Sequence, residues 1–460
     1  MKDEAIEKMI LDRPQLLRDA ATRATTYLDG VADRRVSPAQ VDIDALAAFD
    51  TPLPQEGLAA NEVLARLDDI GSAATVATTG PRFFGFVNGG ALPIAVATAW
   101  LVAAWDQNNA LRVMSPLGAK LDEVALGWIV DLLGLPGHTG GGFVSGASMA
   151  NTTCLAAARD AVLRANGWDA LGQGLVGAPP IQVVVGAEAH STVHKALGIV
   201  GLGRDRVLRL PTDDEGRIRT ADLPHLSSPA IVCLQAGNVN SGASDPFAEL
   251  IDWAKSFDAW VHVDGAFGLW AAAAPELRRE VEGVQRADSW ATDAHKWLNT
   301  TYDCGIALVA DADALRSAMQ ATAAYLPHGT EREPMSYTPQ TSQRARGVEV
   351  WAVLASLGRD GVADLVTGSV RHAKRFAEAL STGGFHVLNQ IRLNQVVVDF
   401  GGAERNAAVL AQIQDDGTCW CGPTSWYGRS AMRISVSCWA TSTEDVEASI
   451  AAMLRAAATA

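Results

Sequence analysis

The sequence predicts an α/β fold, in which a mostly parallel sheet is covered by helices and a smaller α+β unit follows at the C-terminal end. Between about residues 80 and 320, four apolar runs lack two-residue alternation: "IQVVVGAEAH", "PAIVCLQAG", "WVHVDGAFG" and "CGIALVAD". Strands buried on both faces read this way. Helical stretches such as "DPFAELIDWAKSFD" separate the runs, and alternating strand and helix marks a parallel sheet. The 460 residues are enough for two or three domains with a large core.

Taken in order, residues 1–78 read as a helical N-terminal arm. Its start, "MKDEAIEKMILDRPQ", is charged and amphipathic and has no signal-peptide pattern. A proline-punctuated connector, "VSPAQVDIDALAAFDTPLPQEG", joins its helices. Such an arm forms its own layer or wraps a partner. Residues 79–358 are expected to form the large domain. Within it, Phe83 to Trp105 carries no formal charge and is long enough to suggest a membrane span. Asn88-Gly89-Gly90 and Pro93 interrupt it, leaving "PIAVATAWLVAAW", the length of a buried core helix with proline in its first turn. Residues 321–346 are irregular and polar, and a loop of that length in a compact enzyme points to function. A helix is expected at about 347–358. Residues 359–460 then give helix, "FHVLNQIRLNQVVVDF", helix, "MRISVSCWA" and a closing helix, a small α+β domain.

The net charge of −15 argues against nucleic acid or an anionic membrane as partner. Six cysteines, at 154, 233, 304, 419, 421 and 438, show neither disulfide-scaffold nor zinc spacing. They are expected to be reduced, mostly buried thiols of a cytoplasmic protein, and no metal site is expected.

Ligands of an open parallel sheet bind beyond the carboxyl ends of its strands, so the polar residues after the apolar runs carry the chemistry. They are Gly146-Ala147-Ser148, His190, Asn238, Asn240, Asp264 and Asp293-Ala294-His295-Lys296. Lys296 is one of only seven lysines. It stands where the chain enters the core, and a buried ammonium is costly unless it has a task. "GGGFVSGASMANTT" reads as a Gly-rich turn before a helix, whose amides and Ser148 hydroxyl could take an anion. It matches neither a dinucleotide fingerprint nor a Walker loop. Asp264 closes a strongly apolar strand, 32 residues before Lys296. A Schiff-base lysine, an aspartate for a pyridinium nitrogen and an anion site together are what pyridoxal 5'-phosphate (PLP) requires. His190 could lie on the cofactor ring and steer protons, while His225 and His262 read as structural. A Ser148–His190–Asp264 hydrolase triad is the rival, but "SGASMA" is not a G-x-S-x-G elbow.

At these residues the chain resembles the group II PLP-dependent decarboxylases, which have fold type I architecture. The blocks "GPRFFGFVNGG", "SPLGAKLDEVALGWIVDLLGLP", "GFVSGASMAN", "AHSTVHKA", "HVDGAFG", "DAHKWLN" and "MRISVS" follow the family order from about residue 15 to the C-terminus. The resemblance implies that Lys296 holds PLP and Asp264 pairs with its ring nitrogen. His190 and Ala266 would flank the ring, with Ala147, Ser148, Asp293 and His295 around the phosphate. It also implies a homodimer whose arms embrace the other subunit and whose site lies at the interface. A loop tyrosine would protonate the intermediate, and in 321–346 Tyr337 is the nearest candidate.

The departures fall in the substrate pocket, at Phe86-Val87-Asn88-Gly89, at Asn108 and Ala110, and at Gly237-Asn238-Val239-Asn240. Phe86, Asn88, Asn108 and Arg433 are therefore the substrate candidates, with Arg112 a second choice for the carboxylate. The pocket is less aromatic and richer in amides than that of aromatic amino acid decarboxylases. The implied activity is decarboxylation of an L-amino acid to its amine. A carbon–carbon lyase, a decarboxylation-dependent oxidase giving an aldehyde, an aminotransferase and a PLP-binding homologue without turnover are the alternatives.

Overall fold

The computed structural model describes residues 3–221, 223–320 and 331–460. Part of the long polar segment, 321–330, lies outside the described residues. Seven strands form the large sheet: β1 (Gly140–Val144), β2 (Gln182–Gly186), β3 (Val207–Leu210), β4 (Ala230–Gln235), β5 (Trp260–Asp264), β6 (Ser289–Asp293) and β7 (Gly305–Val309). Their order is β1-β7-β6-β5-β4-β2-β3. Only β7 runs against the others, pairing antiparallel with β1 and β6. The four apolar runs named above supply β2, β4, β5 and β7, and all four are buried along almost their whole length.

β1 departs from the expected reading. "GGGFV" is a fully buried strand, not the start of a Gly-rich turn. Its glycines are there for space: a Cβ on Gly141 would lie 2.7 Å from Leu308 Cδ2, and one on Gly142 2.7 Å from the Tyr337 carbonyl oxygen. Propensity misreads such a strand, because glycine here answers close packing on both sides.

The second sheet, of β8 (His386–Val387), β9 (Gln395–Asp399), β10 (Gly422–Trp426) and β11 (Arg429–Ser435), is antiparallel in the order β10-β11-β9-β8. Its core joins Phe376, Phe400, Ile434 and Met453, and Phe84 enters from far upstream. Phe84 meets Phe376 edge-on at 5.0 Å and accepts from the Ser435 amide at 2.9 Å. Phe84 thus packs into the small core, while Val87, three residues on, packs into the large one. The helix expected at 347–358 runs from Arg346 to Thr382, broken at Gly358, where φ is 61° and ψ −174°. One helix therefore serves both cores.

The Pro93–Trp105 helix begins with proline in its first turn, but it is not buried. Ala95, Thr98 and Val102 face inward, while Ile94, Trp100, Leu101 and Trp105 are exposed. An N-terminal helix, Asp3–Gly30, likewise exposes Met9, Ile10, Leu11 and Leu17. Among the described residues no helix is long and apolar enough to cross a membrane. The six cysteines are buried and unpaired.

Candidate active site

β5 and β6 lie side by side, with Asp264 opposite Ala291. Each strand therefore delivers its terminal aspartate, Asp264 and Asp293, to the same edge of the sheet. Their ends are stitched together: the Gly265 amide donates to the Ala291 carbonyl at 2.8 Å, and the Asp293 amide to the Ala266 carbonyl at 2.9 Å. Asp264 is buried and accepts from the Ala266 amide through Oδ1 at 3.2 Å. Its other oxygen has no protein partner among the described residues.

Lys296 follows in the turn after β6. Its Nζ lies 3.1 Å from Asp293 Oδ2, which resolves the oddity of a cation entering the core. Asp293 Oδ1 is buried without a hydrogen-bond partner among the described residues. Gly146 is adjacent, since a Cβ there would stand 3.6 Å from Asp293 Oδ1 and 3.3 Å from His295 Cε1. Gly146 precedes the Ala147–Ala165 helix, where the Met149 and Ala150 amides return to its carbonyl. The Ala147 and Ser148 amides have no intrahelical acceptor. Free amides, a helix dipole and an unpartnered buried carboxylate oxygen thus meet at one point.

His190 caps the Ser191–Ile199 helix. Its Nδ1 accepts from the Thr192 amide at 3.3 Å and lies 2.7 Å from the Thr192 hydroxyl. A backbone N–H can only donate, so the neutral ring carries its proton on Nε2. Burial pushes the imidazole below its ordinary value. Asp264 opposes that shift, Lys296 and Arg433 reinforce it, and Asp293 opposes it. The same four groups thus surround one imidazole. His295 is also pushed down by burial, against Asp293, and its Nδ1 faces the Cys304 main chain. A hydrolase triad is not assembled, because His190 Nδ1 is bonded to Thr192 rather than to Asp264.

Arg433, on β11, donates to the Val239 carbonyl at 3.2 Å. Asn88 accepts from the Tyr302 hydroxyl at 2.8 Å, and Phe86 stacks on Trp420 at 5.4 Å. Three other candidates have partners of their own. Asn108 bonds to Ser342 and Gln343. Arg112 pairs with Glu123 and Glu331. Tyr337 lies in the apolar cluster of Val144, Ala150 and Leu315, with Arg332 3.8 Å above its ring. The tyrosine's ring and the arginine's charge bind each other there.

Sequence reading missed Tyr302 and Asn299. Tyr302 lies 4.3 Å from the His295 ring, and Asn299 closes the lysine turn. Their only signal was position, within six residues of Lys296. His262 is held at both ring nitrogens, by Ser289 at 3.0 Å and Asn151 at 2.8 Å. That is the environment of a structural histidine.

The geometry fits PLP: an amine beside a carboxylate, a second carboxylate with one free oxygen, and a helix start for a phosphate. Residues 44–400 match the model of the pyridoxal-dependent decarboxylase conserved domain. The chain belongs to that family. It is a PLP-dependent amino-acid decarboxylase. Tryptophan decarboxylase 1 of Oryza sativa is 28% identical over 396 residues, 77% of this chain and 76% of the relative. Phenylacetaldehyde synthase of Arabidopsis thaliana is 28% identical over 354 residues, 70% and 71% of the two chains. The crystal structure of Oryza sativa TDC with PLP and tryptamine superposes with a TM-score of 0.88 at 23% identity, covering 97% of the decarboxylase and 98% of that chain. The likeness establishes the fold, including the fold type I arrangement expected from the sequence.

Proposed function

We propose that the decarboxylase converts an L-amino acid to its amine and CO2, with Lys296, Asp264, His190 and Arg433 as the working residues. The observation that carries this reading is Arg433. Its guanidinium is pushed down by burial, and no carboxylate among the described residues pairs with it. A buried cation gains most from an anion brought to it, and an amino acid brings its α-carboxylate.

Bound PLP supplies the electron sink that makes loss of CO2 from the α-carbon feasible. Lys296 would hold it and be displaced by the substrate amine, with Asp293 as counter-ion. Asp264 would keep a proton on the pyridine nitrogen. Ala147 and Ser148 would take the phosphate beside Asp293 and His295, and His190 and Ala266 would bracket the ring. Arg433 would orient the carboxylate. The bonding pair of the leaving carboxylate stays on the substrate, and one proton takes its place on the α-carbon. His190 holds a proton at Nε2 for this purpose. Of the two tyrosines in 321–346, Tyr337, which stacks under Arg332, is the candidate loop acid, and Tyr325 is the other. Phe86 and Asn88, with Tyr302, flank the lysine turn on the side-chain end of the substrate.

A homodimer is part of this reading. The exposed apolar faces of the Pro93–Trp105 and Asp3–Gly30 helices support it. Asn108 would then act from the region that meets the partner. The free, buried cysteines support a cytoplasmic setting.

The test is a panel of L-amino acids incubated with the purified holoenzyme, with products identified by mass. One amine per CO2 is expected. Equal release of ammonia and aldehyde would replace this reading with the oxidative one, which the likeness to a phenylacetaldehyde synthase keeps in view.

A further inference from the structure

Asn299 ties three separate parts of the chain together. Its Nδ2 donates toward the carbonyls of Lys296 at 3.3 Å, Trp297 at 3.0 Å and Ser437 at 3.0 Å. Its Oδ1 accepts from the Trp439 amide at 2.9 Å, and its carbonyl accepts from the Leu92 amide at 2.9 Å. The residue is fully buried and sits at φ 57°, a left-handed conformation that asparagine tolerates better than most side chains.

The three parts are the lysine turn, the loop entering the Pro93–Trp105 helix, and the segment that follows β11. A second bond joins the latter two, from Trp439 Nε1 to the Ala91 carbonyl at 3.0 Å. Gly89 closes the joint from the other side, because a Cβ there would fall 1.8 Å from the Lys296 carbonyl oxygen and 3.0 Å from Asn299 Cγ. Arg433 lies on β11 only four residues before Ser437. A single buried amide therefore connects the main chain of the amine-bearing residue to the strand that carries the unpaired guanidinium. Main-chain hydrogen bonds of this kind are costly to leave unmade in a dry interior.

We propose that Asn299 is a positioning residue that fixes the spacing between Lys296 and Arg433. The two thus act on one substrate as a rigid pair across the two domains. This rests on the reading of Arg433 as the carboxylate partner. Asn299 touches neither substrate nor cofactor and works entirely through the lysine turn and the segment after β11.

The test combines Asn299→Gly, which keeps the positive φ and removes the side-chain bonds, with Arg433→Met in a double-mutant cycle. Asn299→Ser is the second variant should the glycine form fail to fold. Activity is read on whichever of L-tryptophan, L-tyrosine, L-glutamate and L-2,4-diaminobutyrate the wild type decarboxylates fastest. Asn299→Gly is expected to lower kcat/KM about tenfold and Arg433→Met about a hundredfold, with the double variant no worse than about a hundredfold. Additive losses, near a thousandfold in the double variant, would overturn the proposal. A merely structural asparagine gives that additive result.

Hydrogen exchange on the cofactor-free protein provides a readout independent of turnover. Peptides covering 296–300 and 436–440 should both exchange faster in Asn299→Gly, and unchanged exchange in either would equally defeat the proposal. If the wild type turned over none of the four amino acids, the reading of Arg433 would fall, while the exchange measurement would still decide whether the joint exists.

Discussion

The Lys296 amine lies 3.1 Å from one oxygen of Asp293, and the other oxygen of that carboxylate is buried with no hydrogen-bond partner among the described residues. The pair is therefore coupled to each other before it is coupled to anything else. Asp293→Asn should lower the urea-unfolding free energy of the cofactor-free protein by about 1–3 kcal/mol, the range for stranding a largely buried charge. In a cycle with Lys296→Ala, the two losses should overlap by about 1 kcal/mol or more.

Asp264 keeps one oxygen engaged with the Ala266 amide and leaves the other free. Replacing it by asparagine preserves shape and removes charge. Steady-state kinetics should show kcat falling about 10²–10³-fold, with near-native cofactor content measured by absorbance.

Gly89 leaves no room for even a methyl group beside the Lys296 carbonyl. Gly89→Ala should displace the lysine turn and reduce kcat about 10²-fold, as expected for a shift near 1 Å. Gly57→Ala, where a Cβ meets nothing within 4 Å, is the control and should match the wild type.

Tyr337 packs its ring in the apolar cluster beside β1. Tyr337→Phe should lower kcat at least about 10²-fold if this tyrosine is the loop acid, and by less than about twofold if Tyr325 is. Parallel single-turnover measurements on the two variants separate the assignments.

His262 gives a stability signature. Burial pushes its pKa down to about 4, with Asp264 opposing. The folded state resists protonation that the unfolded chain accepts near 6.5, so its contribution is full above that pH and is lost as pH falls toward 4. Asp122 and Asp245 are raised to about 7 by burial, and their contributions move the opposite way across the acid range. Comparison with His262→Gln isolates the histidine. The stability gap between wild type and variant should shrink by about 3 kcal/mol between pH 6.5 and 4, read by denaturant titration at each pH.

What the sequence made legible follows from which residues had a local reason to be where they are. β2, β4, β5 and β7 announced themselves because each strand is apolar on both faces. Lys296 and Asp264 stood out because a charge at the end of such a run has no bland explanation. β1 stayed hidden because its glycines are dictated by Leu308, Ala312 and Tyr337, residues far away in the chain. The contacts of Tyr337 stayed hidden for the same reason, since Arg332 and the cluster beside it are invisible in its own neighbourhood. Tyr302 and Asn299 acquire meaning only from Asn88, His295 and Ser437, which the fold alone brings near. The exposed face of the Pro93–Trp105 helix shows the limit of composition: an apolar helix tells that it will be covered, but not by what.

The broken helix at Gly358 has a consequence for how its two segments meet the large core. Its φ and ψ lie where only glycine is at ease, and a Cβ there would meet no atom within 4 Å. An alanine at 358 would encounter no steric obstacle and would bear only the torsional cost, about 1–3 kcal/mol. The chain could relieve that cost by straightening the helix, which would unseat Val362, Val366 and Val370 from the large core. One backbone torsion at a residue that touches nothing thus acts as the protractor of the helix.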